Sequence, residues 1–197
     1  QDLNTYRVDK SIDAKNGLIT PAFIDCHTHP IFSGNRSNEF ELRTKGASYQ
    51  QIAEKGGGIK FSIKKLRKSS KEDIFDESLP RIDSFLKKGT TTIEAKSGYG
   101  LTLKDEIKSL EVIQMLNQNS NLHIIPTFMG AHDFPLEYTN NHDGYVDLIC
   151  NEMIPEVADR KLAVFCDVFC EKGYFTVKQS EKILKTGIDC GLLPRLH

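Results

Sequence analysis

Five short apolar, β-rich runs alternate with longer stretches of helical pattern, and this alternation narrows the possible folds more than any other feature of the chain. The runs are Leu18 to Cys26, Thr90 to Ala95, Leu122 to Met129, Leu162 to Phe169 and Leu192 to Leu196. Helical patterns fall at Ser48 to Glu54, Lys71 to Lys88, Leu103 to Asn117, Gly144 to Ala158 and Thr176 to Cys190. In the Leu103 segment, Leu103, Ile107 and Leu110 share one stripe at three-to-four spacing, which Ile113 and Leu116 continue toward its edge. Strands separated by helices predict an α/β fold with a parallel sheet and right-handed crossovers.

Two architectures answer to that description. A (β/α)8 TIM barrel typically takes about 250 residues. The 197 residues here hold about its first five strands, and the last run ends beside His197, so the chain is expected to stop in mid-fold. A doubly wound open sheet is the other option, but the Gly-rich dinucleotide fingerprint it often carries is missing, because Gly56, Gly57 and Gly58 do not follow a strand.

Composition excludes several partners. With 39% apolar and 27% charged residues, the chain has enough apolar material for one sizeable core. A formal net charge of -1 and a pI near 6.7 remove the electrostatic case for nucleic acid or an anionic membrane and leave a small molecule as the expected partner. The basic run from Lys60 to Lys71 reads as a solvated helix face, since acidic residues follow it at once. No apolar stretch is long enough for a membrane span, and Gln1, Asp2, Leu3 and Asn4 do not open a signal peptide, so a cytoplasmic location is expected. The five cysteines (Cys26, Cys150, Cys166, Cys170, Cys190) form no C-x-x-C pair and read as reduced, mostly buried thiols.

The first run ends in His27-Thr28-His29. Residues i and i+2 of a strand project to the same face, so the two imidazoles form half of a metal site. They lie at the C-terminal end of the strand, which is the catalytic face of a parallel barrel. Six histidines in 197 residues give roughly 0.2 such pairs by chance, so the surrounding motif carries the weight. Of the other histidines, His123 opens its strand on the opposite barrel face and His142 lies in a polar run, so both are expected at the surface.

The string Gly17-Leu-Ile-Thr-Pro-Ala-Phe-Ile-Asp25-Cys-His27-Thr-His29-Pro30 resembles the first-strand signature of the metal-dependent amidohydrolase superfamily. Phe32-Ser-Gly34-Asn-Arg36-Ser-Asn-Glu39-Phe40-Glu41-Leu42-Arg43 follows, then Gly56-Gly-Gly58-Ile59, Glu94-Ala-Lys96-Ser97-Gly98-Tyr99-Gly100-Leu101, Gly130-Ala-His132 and Phe165-Cys-Asp167-Val-Phe169-Cys170-Glu171. In this order the series is similar to the imidazolonepropionase family, over about residues 17 to 197. The resemblance implies an amidohydrolase-type barrel that hydrolyses the cyclic amide of 4-imidazolone-5-propanoate to N-formimidoyl-L-glutamate in histidine degradation, using one zinc or iron ion. It also implies that residues 1–16 are the remnant of a flanking β-sandwich and residues 17–197 the N-terminal part of the barrel.

By position, His27, His29 and His197 match metal ligands, and Arg36, Tyr99 and His132 match substrate-binding positions. The residue chemistry agrees. A guanidinium such as Arg36 binds a carboxylate bidentately where Lys does not. Tyr99 sits in a glycine-flanked loop that permits close approach to a ligand. His132, as a catalytic group, is expected to polarise the carbonyl or steady the tetrahedral intermediate. The fourth run ends in Phe169, Cys170 and Glu171, with Lys172 one step beyond the place where binuclear relatives often hold a bridging lysine, and this favours a single ion. The family's general acid, a Glu after the fifth-strand His, and a metal-binding Asp on a later strand are not among these residues. Little or no turnover by the isolated chain is therefore expected, and the open edges of a partial barrel are expected to favour self-association. Another mononuclear amidohydrolase, such as a deaminase, and a catalytically incomplete metal-binding fragment are the alternative readings.

Overall fold

A computed structural model describes residues 7, 9–48, 51 and 57–197. In chain order the elements are β1 (Phe23–Thr28), α1 (Ser37–Thr44), α2 (Ile59–Lys68), α3 (Lys71–Lys87), β2 (Thr90–Lys96), α4 (Leu103–Asn119), β3 (His123–Ala131), α5 (His142–Leu148), α6 (Ile154–Asp159), β4 (Phe165–Val168), α7 (Val177–Asp189) and β5 (Leu193–Leu196). All four strand pairs are parallel, in the order β1-β2-β3-β4-β5. That order decides between the two architectures: a doubly wound sheet reverses its strand order at a switch point, whereas a barrel lays each strand beside the last. The sheet is a five-stranded part of a (β/α)8 barrel, curled so that the ends of its two outer strands meet. The rings of His27 on β1 and His197 after β5 stack with centroids 4.5 Å apart.

The core lies between the outer face of the sheet and the helices. Ile93, Ala95, Ile124, Phe128, Cys166 and Val168 of the strands are buried together with Ile74 and Ile82 of α3, Leu110, Ile113 and Leu116 of α4, and Ile183 of α7. Gly187 of α7 allows a close helix-to-strand approach, since a Cβ there would sit 3.0 Å from the Cβ of Cys166. Side chains, not propensity alone, define the helix starts. Ser70 and Asp73 form a capping box at α3, as do Thr176 and Gln179 at α7, satisfying N–H groups that a helix leaves free.

Several boundaries differ from the sequence expectation. β1 begins at Phe23 instead of Leu18 and is largely exposed despite its apolar sequence: Leu18 and Ile19 are 91% and 82% exposed, and Phe23 and Ile24 are also open. Among the described residues β1 pairs only with β2. β4 is shorter than expected, four residues from Phe165. Helices α1 and α2 lack a separate prediction, and the predicted helix at Ser48 to Glu54 falls largely outside the described residues. The predicted helix at Gly144 to Ala158 starts at His142 and contains a wide turn at Ile149–Met153. Pro155, just beyond that turn, has no N–H to donate and crowds the carbonyl four residues back, which accounts for the widening. Among the described residues, no helix is long and apolar enough to cross a membrane.

Candidate metal centre

The C-terminal ends of the strands carry the predicted site residues. His27 is the fifth residue of β1 and His29 follows its last residue. His197 follows β5, where its N–H donates to the Val168 carbonyl at 2.9 Å and its own carbonyl accepts from Cys170 N–H at 3.2 Å. One ligand atom from each of the three imidazoles lies within 4.8 Å of the others, the one such grouping of His, Cys, Asp or Glu among the described residues. The Nδ1 atoms of His29 and His197 are buried without a hydrogen-bond partner. Arg195 helps bring the outer strands together: its Nη1 donates to the Cys26 carbonyl at 3.3 Å, and its guanidinium lies 4.1 Å over the Phe165 ring.

The electrostatics favour the neutral form of His29 and His197. Burial, reinforced by the neighbouring histidines and by the Lys96 charge, pushes His29 down from 6.5 to about 3. Burial also lowers His197, against the opposing pull of Asp167. Neutral imidazole is the form that binds a metal ion, and the three ring nitrogens lie close enough together to share one.

His132 follows β3 and stacks on His29 with centroids 5.0 Å apart. Its Nδ1 lies 2.8 Å from the Gly98 carbonyl. A carbonyl only accepts, so Nδ1 carries the proton, and the neutral ring presents Nε2 as an acceptor. Burial holds His132 down to about 4, so this neutral form prevails at neutral pH. With Nδ1 committed to the Gly98 carbonyl, donation from Nε2 to a bound ligand requires the doubly protonated ring, which burial disfavours.

Arg36 is the residue before α1, half-exposed, and 4.0 Å from Glu39, beyond hydrogen-bond reach. With Tyr99 it lines two adjoining cavities. One, of about 260 Å³, also includes His29, Phe32, Ser33 and Phe61. The other, of about 190 Å³, includes His132, Phe169 and Tyr174. The expected ligand-binding residues thus share one region beside the histidines. His123 and His142 are exposed, as expected, and His142 stacks on Phe134 at 3.7 Å.

Sequence reasoning assigned no role to the groups that hold the loops around these cavities. Glu106, fully buried on α4, accepts from the N–H of Gly98 at 3.0 Å and of Gly100 and Leu101 at 2.8 Å each, fixing the loop that carries Tyr99. Gly98 has φ +107, and a Cβ there would meet His132 Nδ1 and the Met129 carbonyl at 2.9 Å, so glycine is required. Arg67, read earlier as part of a solvated face, instead donates to the Gly100 and Leu101 carbonyls. Arg81 donates to the carbonyls of Pro30 and Phe32 and lies over the Phe32 ring, securing the loop after β1. Glu94, Lys96 and Asp167 form a buried cluster beneath the histidines. The signal for it was present: charged residues at i and i+2 within a strand that is otherwise buried.

No protein-family model matches the chain. Among curated proteins it is 53% identical over 186 residues to the imidazolonepropionase of Brevibacillus brevis, which takes in 94% of this chain and 44% of that protein. The imidazolonepropionases of Flavobacterium psychrophilum and Vibrio vulnificus are 48% and 46% identical over 98% and 95% of the chain, and 47% and 46% of their own lengths. Over nearly its whole length the chain is imidazolonepropionase-like. It spans less than half the length of these relatives. Among solved structures, an adenine deaminase from Arthrobacter aurescens superimposes with a TM-score of 0.52 over 90% of this imidazolonepropionase-like chain and 57% of the deaminase. At 11% identity, that likeness bears on the fold alone.

Proposed function

We propose that this chain forms the metal-binding and substrate-tail side of an imidazolonepropionase site, acting in hydrolysis of the cyclic amide of 4-imidazolone-5-propanoate to N-formimidoyl-L-glutamate. The observation that carries the reading is the convergence of His27, His29 and His197 beside cavities lined by Arg36, Tyr99 and His132. In this reading the three histidines hold a single zinc or iron ion. When bound, such an ion supplies Lewis acidity and lowers the pKa of water toward neutrality. Arg36 clamps the propanoate carboxylate through its planar fork of donors. Tyr99 orients the ring or its tail. His132, held as the Nδ1–H tautomer, accepts a proton or hydrogen bond from a ring N–H at Nε2 and so fixes which edge of the imidazolone faces the metal.

Elemental analysis of the purified chain beside its His27→Ala/His29→Ala variant tests the metal reading. About one zinc or iron per chain, lost in the variant, is expected, and no metal in either protein overturns it. The substrate reading is tested on the full-length polypeptide by loss of imidazolone absorbance. Arg36→Lys is expected to raise KM about tenfold or more while leaving kcat closer to the parent value, because uniform binding is what it removes. An unchanged KM would remove Arg36 from the carboxylate site.

A further inference from the structure

We propose that Lys96 is an internal cation that limits the three-histidine centre to one metal ion, an inference that rests on the metal reading above. Glu94 and Lys96 are two residues apart on β2 and project to the same face, and Asp167 on β4 reaches them across β3. Lys96 Nζ lies 2.6 Å from Glu94 Oε1 and 2.6 Å from Asp167 Oδ2. The Thr127 hydroxyl donates a further short hydrogen bond to Glu94 Oε1. The three charged side chains are 1%, 3% and 2% exposed for Lys96, Glu94 and Asp167.

A buried ion pair needs no more than one carboxylate per ammonium. Here there are two, leaving one formal negative charge in surplus, and the second oxygens of both, Glu94 Oε2 and Asp167 Oδ1, are buried without a hydrogen-bond partner. The cluster also adjoins the candidate metal ligands: Asp167 Oδ2 is 3.8 Å from His197 Nδ1. Carboxylate oxygens beside imidazole nitrogens are the donor set that a divalent zinc, cobalt or manganese ion takes. The ammonium stands where that second ion would draw its ligands, and it binds both carboxylates as a compact point charge. Removing it strands two like charges in a dry interior, a state relieved by taking up a cation.

Equilibrium dialysis against cobalt or zinc, with elemental analysis, reads the number of ions per chain. The expected result is one ion in the parent chain, two in Lys96→Met, which keeps the side-chain length without the charge, and one again in Lys96→Met/Asp167→Asn. A folded Lys96→Met with one ion overturns this inference alone, whereas a parent chain with no ion overturns the metal reading and the inference together. If Lys96→Met is unfolded in metal-free buffer, zinc titration followed by circular dichroism decides. Recovery of the fold at two zinc ions per chain is expected, and no recovery at saturating zinc overturns the proposal.

Discussion

Glu106 uses both carboxylate oxygens to hold three backbone N–H groups of one loop, those of Gly98, Gly100 and Leu101. Glu106→Gln sets an amide N–H₂ against one of those donors in a buried site, where an unmet group costs about 1–3 kcal/mol. A loss of roughly 2 kcal/mol in urea denaturation is expected, together with weaker binding of an imidazole-propanoate analogue to the full-length polypeptide; unchanged values for both would show that the loop is held by other means. His29 and His132 bear on pH dependence. Their folded values, about 3 and about 4, lie below the ordinary 6.5, so the unfolded chain binds these protons more readily. Their contribution to stability is full above pH 6.5 and declines as the pH falls from there, toward about 4 for His132 and about 3 for His29. Urea midpoints measured across that window are expected to fall with acidity, and less steeply in His132→Gln. At this scale the sequence was legible where motif and strand period coincide, as at His27 and His29. It was mute on Asp167, whose partner Lys96 lies far along the chain, and on Glu106, whose partners are backbone N–H groups that carry no side-chain pattern.

Among the elements, the central strands were the easiest to read, because β2, β3 and β4 are covered by neighbours and are apolar on the face that meets the helices. β1 and β5 have apolar composition like the central strands but are largely exposed, and no alternation records which side is covered. α1 escaped detection for a related reason: none of its side chains is buried, so it has no apolar stripe to recognise. α2 was hidden by its lysines, although Ile63 and Leu66 face the core. Two predictions belong here. Pro80 is an exposed residue inside α3, where it removes a helix hydrogen bond. Pro80→Ala is expected to raise stability by on the order of 1 kcal/mol, seen as a higher Tm; a lower Tm would mean that the proline ring is needed where it stands. Thr176→Ala breaks the capping box of α7 and is expected to cost about 1 kcal/mol by the same measurement.

At the level of the whole molecule, the outer strands leave apolar side chains open, with Phe23 69% and Leu196 66% exposed. Light scattering over a range of protein concentration is expected to show self-association, reduced by Phe23→Lys, because unpaired strand edges invite pairing; a monomer at all concentrations would count against it. The consecutive strand order has one more consequence. His27 belongs to the first strand and His197 follows the last, so an ion held between them would act as a clasp across nearly the entire chain, and no fragment lacking either end strand could form it. Like a covalent cross-link over a long loop, such a clasp restricts the unfolded chain, and it engages only once all five strands have assembled. Metal uptake would then report completion of the sheet, arriving as the last event in folding and departing as the first sign of its opening.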